Sequence, residues 1–403
     1  MSRNLSRNQG LGKKRLARFL AAALVVCGLA ACSSLGDLGI GSLGSLNPFA
    51  SKAPRMTRLE AIQPLVTLRP SWSYSIGKAG TAIFSPAIVG NAVFVAAADG
   101  SVARLEDGVA VWRIQAGRPL SAGVGSDGEL VAVGTAEGEI LVFSARDGAP
   151  LWQARASSEI LSPPLVEEGL VIVRSGDHRI IAFDAEGKRK WLYQRPVPSL
   201  FLRSAAPLRM ADQFVLAGFP GGKLVAISVL NGAPVWEGNV ALPKGATELD
   251  RIADVVSPPA LLGPVGCAVA FQGKLTCFDF SQNGSTLWSK EVSSSAGLAI
   301  DPESIYVTDG SSAVLAFALA TGGSRWKQDR LLHRKLTAPL AVGRDHLAVG
   351  DAEGILHLLS RQTGTLVGRQ STDGTPVLAL SLDADGRILA QTQGGRVFLF
   401  TLE

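Results

Sequence analysis

Few side chains in this 403-residue sequence are placed for covalent or metal chemistry. His178, His333, His346 and His357 are scattered along the chain, with no partner cysteine and none of the short spacings a metal site needs. His357 lies in an alternating strand pattern and reads as a packed or solvated strand residue. Gly218-Phe219-Pro220-Gly221-Gly222 has the makings of a hairpin turn, not of a phosphate cradle after a strand. Serines are numerous, but nothing singles one out beside a histidine and an aspartate. No catalytic residue, metal ligand or cofactor is therefore expected. That leaves thiol chemistry. Cys267 and Cys277 fall on the two strands of one hairpin, either side of Gln272-Gly273. A three-residue loop at 271–273 sets them directly opposite, whereas a two-residue loop sends them to opposite faces. In an oxidising compartment we expect a disulfide, with two buried thiols as the alternative.

Cys32 promises a different reaction. Lys13, Lys14, Arg15 and Arg18 precede an unbroken small and apolar run from Phe19 to Cys32. At 14 residues the run is too short to span a bilayer, which takes about 20, and it reads as a signal-peptide core. It ends in Leu29-Ala30-Ala31-Cys32, which matches the bacterial lipobox. The match implies cleavage before Cys32, lipid on its thiol and new N-terminus, and loss of Cys27 with the leader. Ser33 follows, and by resemblance to enterobacterial sorting rules this implies transfer to the outer membrane, facing the periplasm. Residues 33–56 are rich in Gly, Ser and Leu without periodicity and read as a flexible tether, with a reach of about 25–30 Å. The expected organisation is a signal peptide at 1–31, a lipidated tether at 32–56 and a folded body at 57–403.

The whole sequence is 47% apolar, enough for a sizeable core. The net charge of +5 is misleading. The first 31 residues hold six basic side chains and no acid, and the remainder carries 33 basic against 34 acidic residues. Nucleic acid is excluded as a partner on that balance and on the periplasmic address.

The elements that position everything else come from a repeat. Six of the seven tryptophans follow a glycine at a fixed offset: Gly108/Trp112, Gly148/Trp152, Gly187/Trp191, Gly232/Trp236, Gly284/Trp288 and Gly322/Trp326. An eighth slot has Gly364, with Gly368 where the indole belongs. From Trp72 to Gly368 the mean interval is about 42 residues, a period of four short strands per blade. Before each slot a tight turn such as Asp99-Gly100 or Glu137-Gly138 joins two alternating segments. The last repeat has three strands, near Val377–Leu382, Ile388–Gln391 and Val397–Leu402. The segment 64–76, with Trp72, is an outer strand with no blade before it. We therefore expect an all-β, eight-bladed propeller whose last blade is closed by the N-terminal strand, leaving no open edge.

The pattern of a turn glycine, then an apolar strand, then Gly-x-x-x-Trp resembles the tryptophan-docking repeat of quinoprotein-type propellers. Pyrroloquinoline-quinone dehydrogenases share it with the BamB family of outer-membrane-protein assembly lipoproteins. The dehydrogenase alternative is poorly served. Every tryptophan is assigned to an outer-strand slot, so none is spare for the floor of a quinone site, and no adjacent pair of cysteines exists to roof it. The assembly-factor resemblance implies a non-catalytic scaffold of the β-barrel assembly complex. Such a scaffold binds the periplasmic POTRA domains of BamA, sits with other subunits of the complex, and assists insertion of unfolded outer-membrane proteins. A third reading is an envelope-binding propeller with another partner.

Two connections carry the partner expectation. Pro198-Ser199-Leu200-Phe201-Leu202-Arg203-Ser204 precedes one blade, and Leu249-Asp250-Arg251-Ile252-Ala253-Asp254-Val255-Val256 follows the same blade. Blade-to-blade connections emerge on one face, so the two are neighbours there. They place Leu200, Phe201, Leu202 and Ile252 beside Arg203, Asp250, Arg251 and Asp254, apolar anchors with a charged rim. The segments resemble the BamB loops that contact BamA, with patterns Leu-x-Leu-Arg-Gly and Asp-Arg-x-x-Asp-x-Asp. Leu200, Leu202, Arg203, Asp250, Arg251 and Asp254 match; Ser204 and Val256 depart. On the alternative reading, Arg203 and Asp254 only bridge the two loops, and Leu200 and Leu202 cover the blade edge.

Overall fold

The computed structural model describes residues 54–403. The leader, Cys32 and the tether as far as residue 53 lie outside the described residues. Each repeat folds as its alternation predicts. In blade 1 the strands are Ala87–Val89, Ala92–Ala96, Ser101–Glu106 and Val109–Gln115, hydrogen-bonded in that order. The second strand is buried along its length, because neighbouring sheets cover both its faces. The fourth alternates exposed with half-buried residues, as an outer strand does. Six more blades repeat this scheme at 122–155, 165–193, 209–239, 260–291, 297–328 and 340–371.

Blade 8 is composite. Val377–Leu382, Ile388–Thr392 and Arg396–Leu402 take Leu68–Ser75 as their outer strand, antiparallel, with Leu68 opposite Leu402 and Ser75 opposite Arg396. The expected closure by the N-terminal strand is present. The register slips between Pro70 and Trp72. Pro70 has no N–H to give a ladder, and an outer strand is where that loss is tolerated.

The tryptophans join blades, and the structure shows how. Trp191 of blade 3 lies on the turn of blade 4, its Nε1 donating to the Val229 carbonyl at 2.6 Å. Gly232 in that turn has φ +72, and a Cβ there would sit 2.8 Å from the indole. Glycine is thus required twice, for backbone handedness and for the approach of the ring. Trp112, Trp152, Trp288 and Trp326 donate likewise to Ala145, Ala185, Leu319 and Arg361 of the next blade. Trp72 reaches Gly108 and so ties blade 8 to blade 1. The slot without an indole has its own cause. A Cβ on Gly368 would meet the Val66 carbonyl at 2.7 Å, and Val66 and Leu65 donate to the Val367 carbonyl. The incoming N-terminal chain occupies that space.

Upstream of its strand, the N-terminal segment is pinned to blade 7 and to the connection leading into it. Thr57 donates its N–H to the Leu332 carbonyl at 3.1 Å, and Arg334 Nη1 donates to the Thr57 carbonyl at 2.9 Å. Arg334 is itself buried against Asp351 at 2.7 Å and reaches Glu353. His357 completes this cluster: its Nδ1 accepts from Arg369 and its Nε2–H donates to Asp351 at 2.9 Å. Burial pushes the imidazole pKa down, so His357 is a packed, neutral strand residue.

Cys267 and Cys277 face each other across the hairpin of blade 5, their sulfurs joined at 1.96 Å. Ala270 donates to Lys274, which leaves a three-residue loop at 271–273 and brings the two residues into register.

Candidate functional site

Blade 4 (209–239) stands between the two longest blade connections of the described residues, 194–208 and 240–259. Both lie on the face where connections meet the hairpins between second and third strands, as when Val240 donates to the Gly222 carbonyl. Loops of this length need internal fastening, and Asp254 supplies it. Its Oδ2 accepts the Leu202 N–H at 2.7 Å, and its Oδ1 accepts the Gly221 N–H at 3.0 Å. One carboxylate therefore holds the first loop, the second loop and the blade 4 hairpin together. It is 1% exposed. The expectation that Asp254 forms part of a charged rim is corrected: two backbone donors draw it inward. Ile252 is buried too and packs below the surface.

Arg203 does not bridge to Asp254. Its guanidinium points outward and pairs with Glu159, on the connection before blade 3, at 3.2 Å. The Ser158 hydroxyl first, and Arg203 after it, hold the Glu159 carboxyl below its usual range. Asp250 is exposed and fastens its own loop. Its carboxylate accepts the Thr247 N–H at 3.1 Å while its N–H donates to the Thr247 hydroxyl; the Thr247 side chain first, and the Thr247 N–H after it, lower the carboxyl pKa. Arg251 does the same work from the other side, donating to the Gly245 carbonyl and pairing with Glu248 at 3.2 Å. Leu200 is 40% exposed, and Leu202 is half-buried behind it. Leu249, 66% exposed, stands beside Asp250 on the second loop.

The face so built exposes Leu200 and Leu249, one on each loop, together with Arg203, Asp250 and Arg251, and Asp254 fastens the two loops from below. That arrangement suits protein docking. Among the described residues no cluster of His, Cys, Asp or Glu is placed to hold a metal.

Arg174 escaped the sequence reading, and His178 entered it only as one of four scattered histidines. Phe201 packs edge-on against His178, with ring centres 4.6 Å apart, and His178 contacts Arg174 at 2.9 Å. Both polar side chains are buried directly below the first loop. The available signal was Arg174 itself, a charge closing the otherwise apolar strand Leu170–Arg174.

Comparison with known proteins agrees with this architecture. The family model described as outer membrane protein assembly factor BamB matches residues 98–328 and 311–402. An outer membrane protein assembly factor BamB from Burkholderia pseudomallei is 43% identical over 96% of this chain and 98% of its own length. The crystal structure of BamB from Moraxella catarrhalis superposes with a TM-score of 0.77 at 28% identity, covering 83% of this chain and 99% of that one. A quinohemoprotein alcohol dehydrogenase from Comamonas testosteroni, at 15% identity and TM-score 0.66 over 83% of this chain and 76% of its own, shares the fold alone.

Proposed function

This chain belongs to the BamB family of outer membrane protein assembly factors, and we propose that it is the lipid-anchored, non-catalytic scaffold of the β-barrel assembly complex that docks on BamA. Its work is binding. The blade 3–4 and 4–5 loops hold BamA's periplasmic POTRA domains, and Cys32 carries the lipid that keeps the propeller at the periplasmic face of the outer membrane. The observation that carries the reading is the Asp254 fastening. A carboxylate buried to lock two surface loops together has a purpose where the loops must present a fixed shape, with Leu200, Leu249 and Arg203 outermost. Preformed loops bind without the entropic cost of ordering.

The test is capture of BamA from solubilised membranes by the full-length lipoprotein. Leu200→Asp should abolish capture without changing the melting temperature; retained capture moves the docking site elsewhere. Labelled palmitate should enter the wild type and not Cys32→Ala. The dehydrogenase reading is tested by adding quinone and calcium and recording a spectrum. A stoichiometric bound chromophore would overturn the scaffold reading.

A further inference from the structure

We propose that Arg174 and His178 form a buried donor pair that takes a carboxylate from the docked protein, Phe201 being the side chain that turns aside to admit it. The inference rests on the docking reading above.

Arg174 ends an apolar strand and His178 lies on the hairpin that follows; they are 5% and 4% exposed. Arg174 Nη2 lies 2.9 Å from His178 Nδ1. Guanidinium only donates, so Nδ1 accepts and the imidazole proton sits on Nε2. Arg174 Nη1 and His178 Nε2 then remain as buried N–H groups, and neither has a hydrogen-bond partner among the described residues. The pair offers donors and no acceptor.

Its surroundings decide which acceptor fits. The Arg174 guanidinium lies 5.1 Å over the Phe219 ring, and Phe201 covers His178. Asp254 acts electrostatically on Arg174, but its hydrogen bonds go to the Leu202 and Gly221 backbone, not to the guanidinium. Burial lowers the Arg174 pKa to about 10, which still leaves it a cation at neutral pH. A buried cation without a bonded anion is costly. Water meets the hydrogen bonds and not the charge, whereas a carboxylate meets both. The cover, Phe201, sits between Leu200 and Leu202 in the loop that faces the partner. Docking at Leu200 therefore acts on the backbone that holds the cover.

The experiment uses the full-length lipoprotein in detergent and solubilised BamA. Arg174→Met with His178→Phe removes both donors and the buried charge at similar volume. We expect the melting temperature to hold or rise and affinity for BamA to fall at least tenfold. Each Asp and Glu of BamA's periplasmic domains is then changed singly to its amide. One change should cost at least tenfold against wild type and under twofold against the double variant. Equal costs in both backgrounds for every acid mean that the donors hold only water, and the proposal fails. Loss of capture by Leu200→Asp with wild-type binding by the double variant overturns the carboxylate site and leaves the docking reading standing. Wild-type binding by both overturns the docking reading as well. Should the double variant unfold, His178→Phe alone carries the same cycle with the same outcomes.

Discussion

The carboxylate of Asp254 holds the backbone of Leu202 at 2.7 Å from the far side of blade 4, and its other oxygen holds Gly221. The residue that shapes the proposed docking face is thus hidden beneath it. Asp254→Ala should leave two buried N–H groups unpaired at about 1–3 kcal/mol each and lower the melting temperature. Capture of BamA should fall with it, because the loops lose their shared fastening. Asp254→Asn, which keeps one acceptor, should lose less of both. Unchanged stability in the alanine variant would remove Asp254 from this role.

Arg203 is the opposite case. Its pair with Glu159 is solvent-exposed, so Arg203→Ala should change folding stability by less than about 0.5 kcal/mol. Binding to BamA should weaken by about 1–3 kcal/mol, read by titration. The informative exchange is Arg203→Glu with Glu159→Arg, which restores the internal pair while reversing the charge a partner meets. Recovery of binding by that exchange would make Arg203 a bridge and not a contact.

Glycines under the indoles should be far less replaceable than glycines in open turns. Gly232 and Gly90 both have positive φ, but a Cβ on Gly232 meets Trp191 at 2.8 Å and one on Gly90 meets nothing within 4 Å. Gly90→Ala should cost about 1 kcal/mol in denaturant titration, and Gly232→Ala about 2–4 kcal/mol. Equal losses would mean that backbone strain alone explains the repeat glycine.

His178 should make stability pH-dependent. Burial, then the neighbouring Arg174, lowers its pKa from 6.5 to about 4, while Asp177 opposes them weakly. Between those values the unfolded chain takes a proton that the folded chain refuses, so stability falls as pH falls. The loss is complete below about pH 4 and amounts to roughly 3 kcal/mol. His178→Phe should flatten the melting-temperature profile across this window. An identical slope in wild type and variant would assign the dependence to other groups.

The ring was legible because its signals are periodic. A glycine–tryptophan spacing recurs, a tight turn between apolar segments precedes each slot, and the unmatched segment around Trp72 finds its blade at the other end of the chain. The loops were legible as places, since the interval from Trp236 to Trp288 is the longest in the series. Which side chains turn inward was not. Without periodicity in a connection, nothing in Leu249–Val256 says that Asp254 is pulled under by the Leu202 and Gly221 N–H groups while Asp250 stays out. Arg203 found Glu159, a residue of the preceding connection, because blade connections share one face. His178 looked isolated in sequence, and only the fold brings Phe201 onto it.

The joining of Leu68–Ser75 to Arg396–Leu402 also orders events in time. Ser71 and Thr401 meet through their hydroxyls at 2.7 Å although 330 positions separate them. The other strand pairings are hairpins between neighbours in sequence, and loop-closure entropy delays them little. Blade 8 is therefore the last to complete, and until it does the chain carries two unsatisfied strand edges. A second copy in the same condition presents the identical register. Refolding at high protein concentration should then divert part of the chain into exchanged dimers, each molecule's first strand seated in the other's final blade.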